Sequence, residues 1–306
     1  MLPIFLQTLP FFLLIGLGYG AGRTGFFPEA ATAWLTKFVF YFALSAMLFR
    51  FSANLSLAAV LDWTFITAYL AASSAIYLLA TSVALFRRRG MAEAAVEAQC
   101  AVVGNVGFLG IPMLVMLLGE RAIGPVMLVL ACDLIVFGSL IVILVTASRG
   151  RISPAILVTV PLGLAKNPMI VSIVAGLAWS AWDLPLPGPA QEFLVLLGAA
   201  ATPGALFAIG ASLASKSAER VQVAGWLSLC KLVLHPAAVA FAALALWPVE
   251  RYAAGVMVAA AALPVAGNVY ILAQHYGVAP QRVSASILIS TAVSVLTLPA
   301  VIAWLG

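Results

Sequence analysis

Two apolar segments of this chain are interrupted by the same three residues, Gly-Asn-Val. The first interruption covers residues 104–106 and has Pro112 shortly after it; the second covers residues 267–269 and has Pro264 just before it. Hydrocarbon cannot satisfy the backbone N–H and C=O groups that a helix break frees, so protein or a water-filled cavity must do so. Matching breaks in two halves of a membrane protein point to a ligand site of the kind that transporters use.

The composition places both segments in a membrane. Hydrophobic residues make up 64% of the 306 residues and charged residues only 8%, whereas a soluble domain carries about 25% charged residues. At about 20 residues per span, the chain has room for about ten spans joined by short loops. The sequence therefore predicts an all-α polytopic membrane protein. We place its spans at about 4–22, 33–51, 63–86, 96–118, 121–147, 168–182, 190–212, 222–247, 253–274 and 283–305.

Several classes of function are disfavoured by the residue pattern. Cys100, Cys132 and Cys230 form no CxxC and no metal-ligand spacing, so we interpret them as small packing residues and expect no metal or cofactor. The net charge of +5 is expected to set membrane orientation rather than to bind nucleic acid. The sequence contains no HExxH, no GxSxG and no pair of intramembrane aspartates, so an enzyme is not expected.

Basic residues fall unevenly on the two sides of the predicted membrane. Even-numbered loops hold three of them, Arg50, Arg121 and Arg251, and Lys231 lies within a span. Odd-numbered loops hold eleven: Arg23, Lys37, Arg87, Arg88, Arg89, Arg149, Arg151, Lys166, Lys216, Arg220 and Arg282. Because cytoplasmic loops carry the excess of Lys and Arg, the count predicts that the odd loops are cytoplasmic. Both termini of this multi-pass inner-membrane protein are then periplasmic.

Ten spans with both termini on one side of the membrane divide naturally into two halves of five. Because five is an odd number, the second half starts on the opposite side of the membrane and is inverted relative to the first. Besides the two Gly-Asn-Val breaks, Ser45-Ala-Met-Leu-Phe49 matches Pro203-Gly-Ala-Leu-Phe207 five spans later. The sequence thus predicts a first five-helix repeat at 1–147 and an inverted second repeat at 168–306. A short cytoplasmic connector, 148–167, joins them.

The breaks in spans four and nine predict a polar pocket. A half-helix that starts within the membrane exposes unpaired N–H groups and the positive end of its dipole, which both favour an anion. Asn105 and Asn268 add neutral donors and acceptors at the same places. The simpler alternative is that membrane helices merely tolerate glycine and proline, which is harder to accept for two matched breaks. The candidate ligand-binding residues are Asn105, Gly107, Pro112, Pro264, Gly267 and Asn268.

The residues around the breaks resemble the crossover helices of the auxin efflux carrier family. The resemblance rests on Asn-Val-Gly-Phe-Leu-Gly-Ile-Pro at 105–112 and Leu-Pro-Val-Ala-Gly-Asn-Val-Tyr-Ile-Leu-Ala at 263–273. The stretch 203–213 resembles the seventh helix of that family, and the residue patterns at 231–236 and 290–299 are also similar to those of the family. The resemblance covers essentially the whole chain.

That resemblance implies a ten-helix fold like those of bile-acid symporters and sodium/proton antiporters, with broken helices 4 and 9 crossing. Spans 1, 2, 6 and 7 would form a scaffold domain, through which a homodimer could assemble, and spans 3–5 and 8–10 a transport domain. It also implies alternating access and small organic-anion substrates such as malonate, malate or auxin-like acids; the alternative is a sodium-coupled bile-acid-type symporter. Two features depart from the family: the connector is short, and Ser45 stands where proline is frequent, which predicts a straighter second span.

Two charged residues are predicted near the middle of the membrane. Asp133 lies about twelve residues into span five and Lys231 about nine residues into span eight, at about 1.5 Å per residue. Such groups are costly unless paired or hydrated. They can form a structural ion pair, couple charge movement to transport, or face separate cavities. His235, one turn beyond Lys231, is expected to hydrogen-bond locally, with a proton relay as the alternative.

Small residues recur on two further spans. Ser286, Ser290 and Ser294 make one polar face of span ten. This face either packs closely against another helix or forms a wall of hydroxyl groups that supports the break in span nine or coordinates a cation. We include Ser290 with Asp133, Lys231 and His235 as a coupling or supporting residue. Span one carries two overlapping GxxxG patterns, which predict close helix packing. They are formed by Gly16, Gly18, Gly20 and Gly22.

Overall fold

The computed structural model describes residues 2–55, 62–149, 156–182, 184–215 and 221–305, and their regular structure is helical apart from one isolated β-bridge. The first half contains α1 (Leu2–Arg23), α2 (Glu29–Ala53), α3 (Trp63–Phe86), α4 (Met91–Val102), α5 (Val106–Leu118) and α6 (Glu120–Ser148). The rest contains α7 (Ile156–Ala165), α8 (Pro168–Ala181), α9 (Gly188–Ala214), α10 (Val221–Leu246), α11 (Arg251–Ala261), α12 (Gly267–Tyr276) and α13 (Pro280–Leu305). Arg151, Lys216 and Arg220 from the charge count lie outside the described residues.

Long apolar helices dominate the described chain, as the composition predicts. Seven of them are long and apolar enough to cross a membrane: Phe5–Arg23, Glu29–Ala53, Trp63–Phe86, Glu120–Ser148, Gly188–Ala214, Val221–Leu246 and Pro280–Leu305. The predicted spans four and nine are each divided into two shorter helices, α4 with α5 and α11 with α12. The predicted sixth span, α8, has only 14 residues. The all-helical membrane class is thus confirmed, while the count of ten spans stays a prediction.

Several helices contain a five-residue π-helical segment. These segments are Val39–Ala43, Val106–Gly110, Asp133–Phe137, Cys230–Leu234 and Ala242–Leu246. A π-segment widens one turn and frequently marks a functional site. Here the segments hold two of the buried charged residues, Asp133 and Lys231, and the start of α5. Helical periodicity in the sequence does not reveal such local widening.

The closest helix contacts pair α1 with α9 and α2 with α8. A Cβ atom at Gly18 would lie 2.1 Å from the carbonyl oxygen of Phe207, and one at Gly22 would lie 2.7 Å from the Cβ of Ala214. In contrast, neither Gly16 nor Gly20 has a heavy atom within 4 Å of a built Cβ. The Gly18-to-Gly22 pattern therefore packs against α9 as predicted, and the overlapping Gly16-to-Gly20 pattern does not.

A buried ionic cluster joins the beginnings of α4 and α13. Arg282 donates to Glu97 and, at 3.1 Å, to Glu93, and Arg87 also donates to Glu97. Only 1% of Glu97 and 6% of Arg282 is exposed. Removing one partner of a buried ion pair is strongly destabilising because it leaves an uncompensated charge. The cluster therefore fixes the end of α3, α4 and α13 relative to one another.

We expect Gly18→Ala to destabilise the protein by about 1–3 kcal/mol, because the new methyl group would overlap the backbone of Phe207 and push α1 from α9. Gly20→Ala is the matched control on the same helix, and its methyl group meets no heavy atom within 4 Å. Thermal unfolding in detergent measures both. Equal melting temperatures for the two variants would contradict the packing described here.

Candidate functional site

The two helix breaks meet each other. Gly104 and Val265 form an antiparallel β-bridge. The N–H of Asn105 donates to the carbonyl of Pro264 at 2.8 Å, and the N–H of Ala266 donates to the carbonyl of Val103 at 3.1 Å. Backbone groups freed at one break are thus satisfied by the other, as an apolar surrounding requires. Because the bridge is antiparallel, α5 and α12 leave it in opposite directions.

Ser290 on α13 supports the second break. Its hydroxyl accepts a hydrogen bond from the N–H of Val265 at 3.1 Å and donates to the carbonyl of Ile287 at 3.2 Å. Ser286 and Ser294 donate only to carbonyls of their own helix. The contact between Ser290 and Val265 shows that this serine face supports the break. The nitrogen of Pro264 needs no such acceptor because it carries no hydrogen.

The two asparagines bring side-chain amides to the meeting point. Asn105 precedes α5 and is 7% exposed, and its side chain makes no capping hydrogen bond to α5. Asn268 is in the first turn of α12, and its buried Oδ1 has no hydrogen-bond partner in the described chain. Buried polar atoms in proteins almost always have partners. The two amides, each beside a helix N-terminus, can therefore receive a ligand with several polar atoms.

Lys231 lies against the first break. A Cβ atom at Gly104 would be 3.2 Å from both Cε and Nζ of Lys231, so glycine leaves just enough room for the ammonium group. The same Nζ donates to the carbonyl of Ala261, the last residue of α11. A cation at a helix C-terminus is stabilised by the helix dipole. The buried lysine is thus held at the end of one half-helix and beside the break in the other.

Asp133 approaches the same break from α6. Its Oδ1 accepts a hydrogen bond from the hydroxyl of Tyr69 at 2.7 Å, whereas its Oδ2 is buried with no hydrogen-bond partner among the described residues. The carboxylate interacts electrostatically with the Gly104 backbone and with Lys231. The salt bridges of the described chain do not include Asp133 and Lys231. The direct ion pair is therefore absent, and the two charges flank the break.

His235 connects Lys231 to α3. Its Nδ1 lies 3.3 Å from Nζ of Lys231, and its Nε2 lies 2.9 Å from the hydroxyl of Ser73. Its ring also meets the ring of Tyr69 edge to face, with centroids 6.0 Å apart. The expected local hydrogen bonding is present, and it extends the polar contacts from α10 to α3. Tyr69 and Ser73 were missed by the sequence reasoning, although their spacing of four residues places both on one face of α3.

The other predicted ligand residues are placed unequally. Gly107 is buried, and a Cβ atom there would lie 2.4 Å from Cε of Met169. Pro112 is buried within α5, beyond the π-segment. Gly267, by contrast, is exposed at the first residue of α12. The structure therefore brings the polar groups of both breaks together but covers the start of α5 and leaves the start of α12 accessible.

Comparisons with known proteins agree with a membrane transport role. The sequence profile of a family described as "Membrane transport protein" matches residues 3–302. A protein of Rhizobium meliloti (strain 1021) named "Putative malonate transporter" is 33% identical over 297 residues, 95% of this chain and 92% of its own length. "Auxin efflux carrier component 5" of Arabidopsis thaliana is 29% identical over 152 residues, 47% of this chain and 42% of that protein.

We expect Ser290→Ala to destabilise the protein by about 1–3 kcal/mol, because the N–H of Val265 would remain buried without an acceptor. Ser294→Ala is the matched control: it removes an equally buried hydroxyl that donates only within α13. Its expected cost is well below that of Ser290→Ala. Thermal unfolding in detergent distinguishes the two, and a Ser294→Ala variant at least as unstable as Ser290→Ala would contradict the role of Ser290.

Proposed function

Because the chain belongs to the family of membrane transport proteins that includes the auxin efflux carriers, we propose that it is a secondary transporter of small organic anions. Its substrates are carboxylates, and it works by alternating access around the meeting point of the two broken helices. One observation carries this proposal: two asparagine amides lie where the N-terminal ends of two half-helices meet, and the buried Oδ1 of Asn268 has no partner among the described residues.

The chemistry of the site favours a carboxylate. Unpaired N–H groups at a helix start and the positive end of its dipole attract an anion. The amides of Asn105 and Asn268 can donate to carboxylate oxygens. Lys231 adds a positive charge behind Gly104. Malonate is the first substrate to test, since a relative that is alike over nearly its whole length is named for it.

The buried charges are well placed to couple transport to proton movement. Asp133 and Lys231 contact the break from different helices without pairing directly, so each responds to the charge that occupies the break. Tyr69 holds one oxygen of the carboxylate, and His235 lies between Lys231 and Ser73. In this proposal the arrival of an anionic substrate stabilises the charged lysine, and its departure with a proton resets the site.

The side towards which α12 runs is proposed as the cytoplasmic side. Arg149 donates to the carbonyl of Tyr276 at the end of α12 and lies over its ring, with 5.8 Å from Cζ to the centroid. At the opposite end of the molecule, Arg121 lies over the ring of Tyr252, whose hydroxyl donates to the carbonyl of Leu118 at the end of α5. Arg149 belongs to the arginine-rich side of the charge count and Arg121 to the poor side.

The helix contacts are compatible with a division into two bodies. The scaffold domain comprises α1, α2, α8 and α9 in this proposal, and the transport domain comprises α3–α6 and α10–α13. The closest pairs, α1 with α9 and α2 with α8, fall within the first group, and the ionic cluster of Arg87, Glu97 and Arg282 falls within the second. Relative movement of the two bodies would then expose the break to one side at a time.

We expect Asn105→Ala and Asn268→Ala each to weaken malonate binding by about 1–3 kcal/mol, or about fivefold to 150-fold, because a bound carboxylate would lose a hydrogen bond in a buried site. Binding is measured by thermal shift on purified protein, since a ligand of the folded state raises its stability with concentration. Asn54→Ala is the control, because that exposed side chain donates to the carbonyl of Arg50 far from the break. Wild-type binding and uptake in both site variants would refute this site.

An uptake assay in proteoliposomes separates proton coupling from sodium coupling. Proteoliposomes are loaded and diluted to impose either a pH gradient or a sodium gradient, and uptake of labelled malonate is followed. Our proposal predicts accumulation driven by the pH gradient. Accumulation that requires sodium and ignores pH would favour the bile-acid-type symporter instead.

Removing the two buried charges tests their role. We expect Asp133→Asn together with Lys231→Met to be more stable than either single variant, because the two buried charges attract each other across the break and removing one leaves the other without an opposite charge nearby. The double variant should also lose the pH dependence of malonate accumulation. Tyr69→Phe is measured beside these variants, because it keeps the ring and both buried charges and removes only the hydroxyl that donates to Asp133. Strictly additive effects on melting temperature would show that the two charges do not interact.

A further inference from the structure

The two half-helices that begin at the breaks are covered to different extents. α5 packs against α1, α6, α9 and α11, and most of its residues are buried. α12 makes its main contacts with α4 and α13. Its first residue, Gly267, is exposed, and Ile271 one turn later is 60% exposed. The start of α5 is thus covered by neighbouring helices, whereas the start of α12, which leaves the bridge in the opposite direction, is exposed at Gly267.

Three side chains close the α5 side. The ring of Phe108, in the first turn of α5, stacks parallel to the ring of Phe40 on α2, with centroids 6.2 Å apart and an angle of 1° between planes. Next to it, Cε of Met169 on α8 occupies the space that a side chain at Gly107 would need. Met169 is 3% exposed. We call Phe40, Phe108 and Met169 the aromatic gate.

The gate brings together side chains from the two proposed bodies. Phe40 and Met169 belong to α2 and α8, which are locked together where Gly176 of α8 lies against the backbone of Phe49. Phe108 belongs to α5, which begins at the break. Opening the site towards the end of α5 therefore requires the ring stack to separate and Met169 to leave Gly107.

The other half of the chain has no equivalent pair of rings. In the register of the two Gly-Asn-Val breaks, Phe108 corresponds to Ile271. In the register that aligns Ser45 with Pro203, Phe40 corresponds to Gly198. A Cβ atom at Gly198 would lie 3.3 Å from Cα of Met47, so a larger side chain there would require Met47 to shift. The pair of Phe40 and Phe108 thus has no aromatic counterpart at the matching positions of the other half.

We propose that Phe40, Phe108 and Met169 act as a one-sided gate that makes the closed-α5 state the resting state of the transporter. The inference rests on the proposed ligand site at the breaks, and it adds where that site opens at rest. Ligand then exchanges first at the end of α12, the proposed cytoplasmic side. The gate residues act by holding the two proposed bodies together on this side.

Thiol labelling tests the gate without any substrate. Two reporter cysteines are placed separately in a background in which alanine replaces the buried Cys100, Cys132 and Cys230. Leu109→Cys reports on the α5 side, since Leu109 is 1% exposed beside Phe108, and Ile271→Cys reports on the α12 side. A membrane-impermeant maleimide is applied to intact cells and to inverted vesicles. In the parent protein we expect rapid labelling of Ile271→Cys and protection of Leu109→Cys.

Removing the ring of Phe40 should shift the balance between the two open states. With Phe40→Ala, labelling of Leu109→Cys should rise about twofold to tenfold, the range expected for loss of an aromatic pair, and labelling of Ile271→Cys should fall. Phe42→Ala is the matched control, because Phe42 is on the same helix and 58% exposed. Phe40→Leu keeps apolar volume without a stacked ring and replaces Phe40→Ala if that variant does not fold.

Three results would overturn the gate. The first is equal labelling of the two reporters in the parent protein, the second is a change with Phe40→Ala no larger than with Phe42→Ala, and the third is full protection of Leu109→Cys in a folded Phe40→Leu variant. Malonate is added in a separate arm. If malonate changes neither reporter while the gate variants behave as expected, the proposed substrate fails and the gate stands. If malonate protects Ile271→Cys but the gate variants have no effect, the gate fails and the ligand site stands.

Discussion

Backbone hydrogen bonding between the two helix breaks is the constraint on which the rest of this structure depends. A break within the membrane frees donors and acceptors that lipid cannot satisfy. Asn105 and Ala266 return two of these N–H groups to carbonyls of the opposite break. Each break is therefore stable only while the other is present. Ser290 and Lys231 complete the arrangement by satisfying Val265 and Ala261.

This pairing also explains why charges are tolerated beside the breaks. A buried ammonium group needs acceptors, and the C-terminal end of α11 supplies a carbonyl within a favourable dipole. A buried carboxylate needs donors, and Tyr69 supplies one to Asp133. Because each charge has its own partner, the two need not form a salt bridge with each other. In the proposed mechanism both charges respond to a ligand at the break, which a closed ion pair would not do.

Sequence reasoning located the broken spans, both asparagines and the two buried charges, because helix breakers and ionisable residues stand out against an apolar background. It predicted two glycine faces on α1 where only the face with Gly18 packs, since spacing alone does not show which face meets another helix. It missed Tyr69, Ser73 and Met169. These are ordinary residues of membrane helices, and only their positions opposite Asp133, His235 and Gly107 give them a role.

The asymmetry between the two halves follows from the same argument. Two repeats with similar backbones and equal side chains would make the two open states of a transporter nearly equal in free energy. Phe40 and Phe108 add a contact on one side, and Gly198 and Ile271 cannot reproduce it on the other. A contact formed in one state only shifts the equilibrium by its own free energy. The pairing of the breaks thus joins both halves at one place, and in the proposed gate a few side chains outside it set which way the site faces at rest.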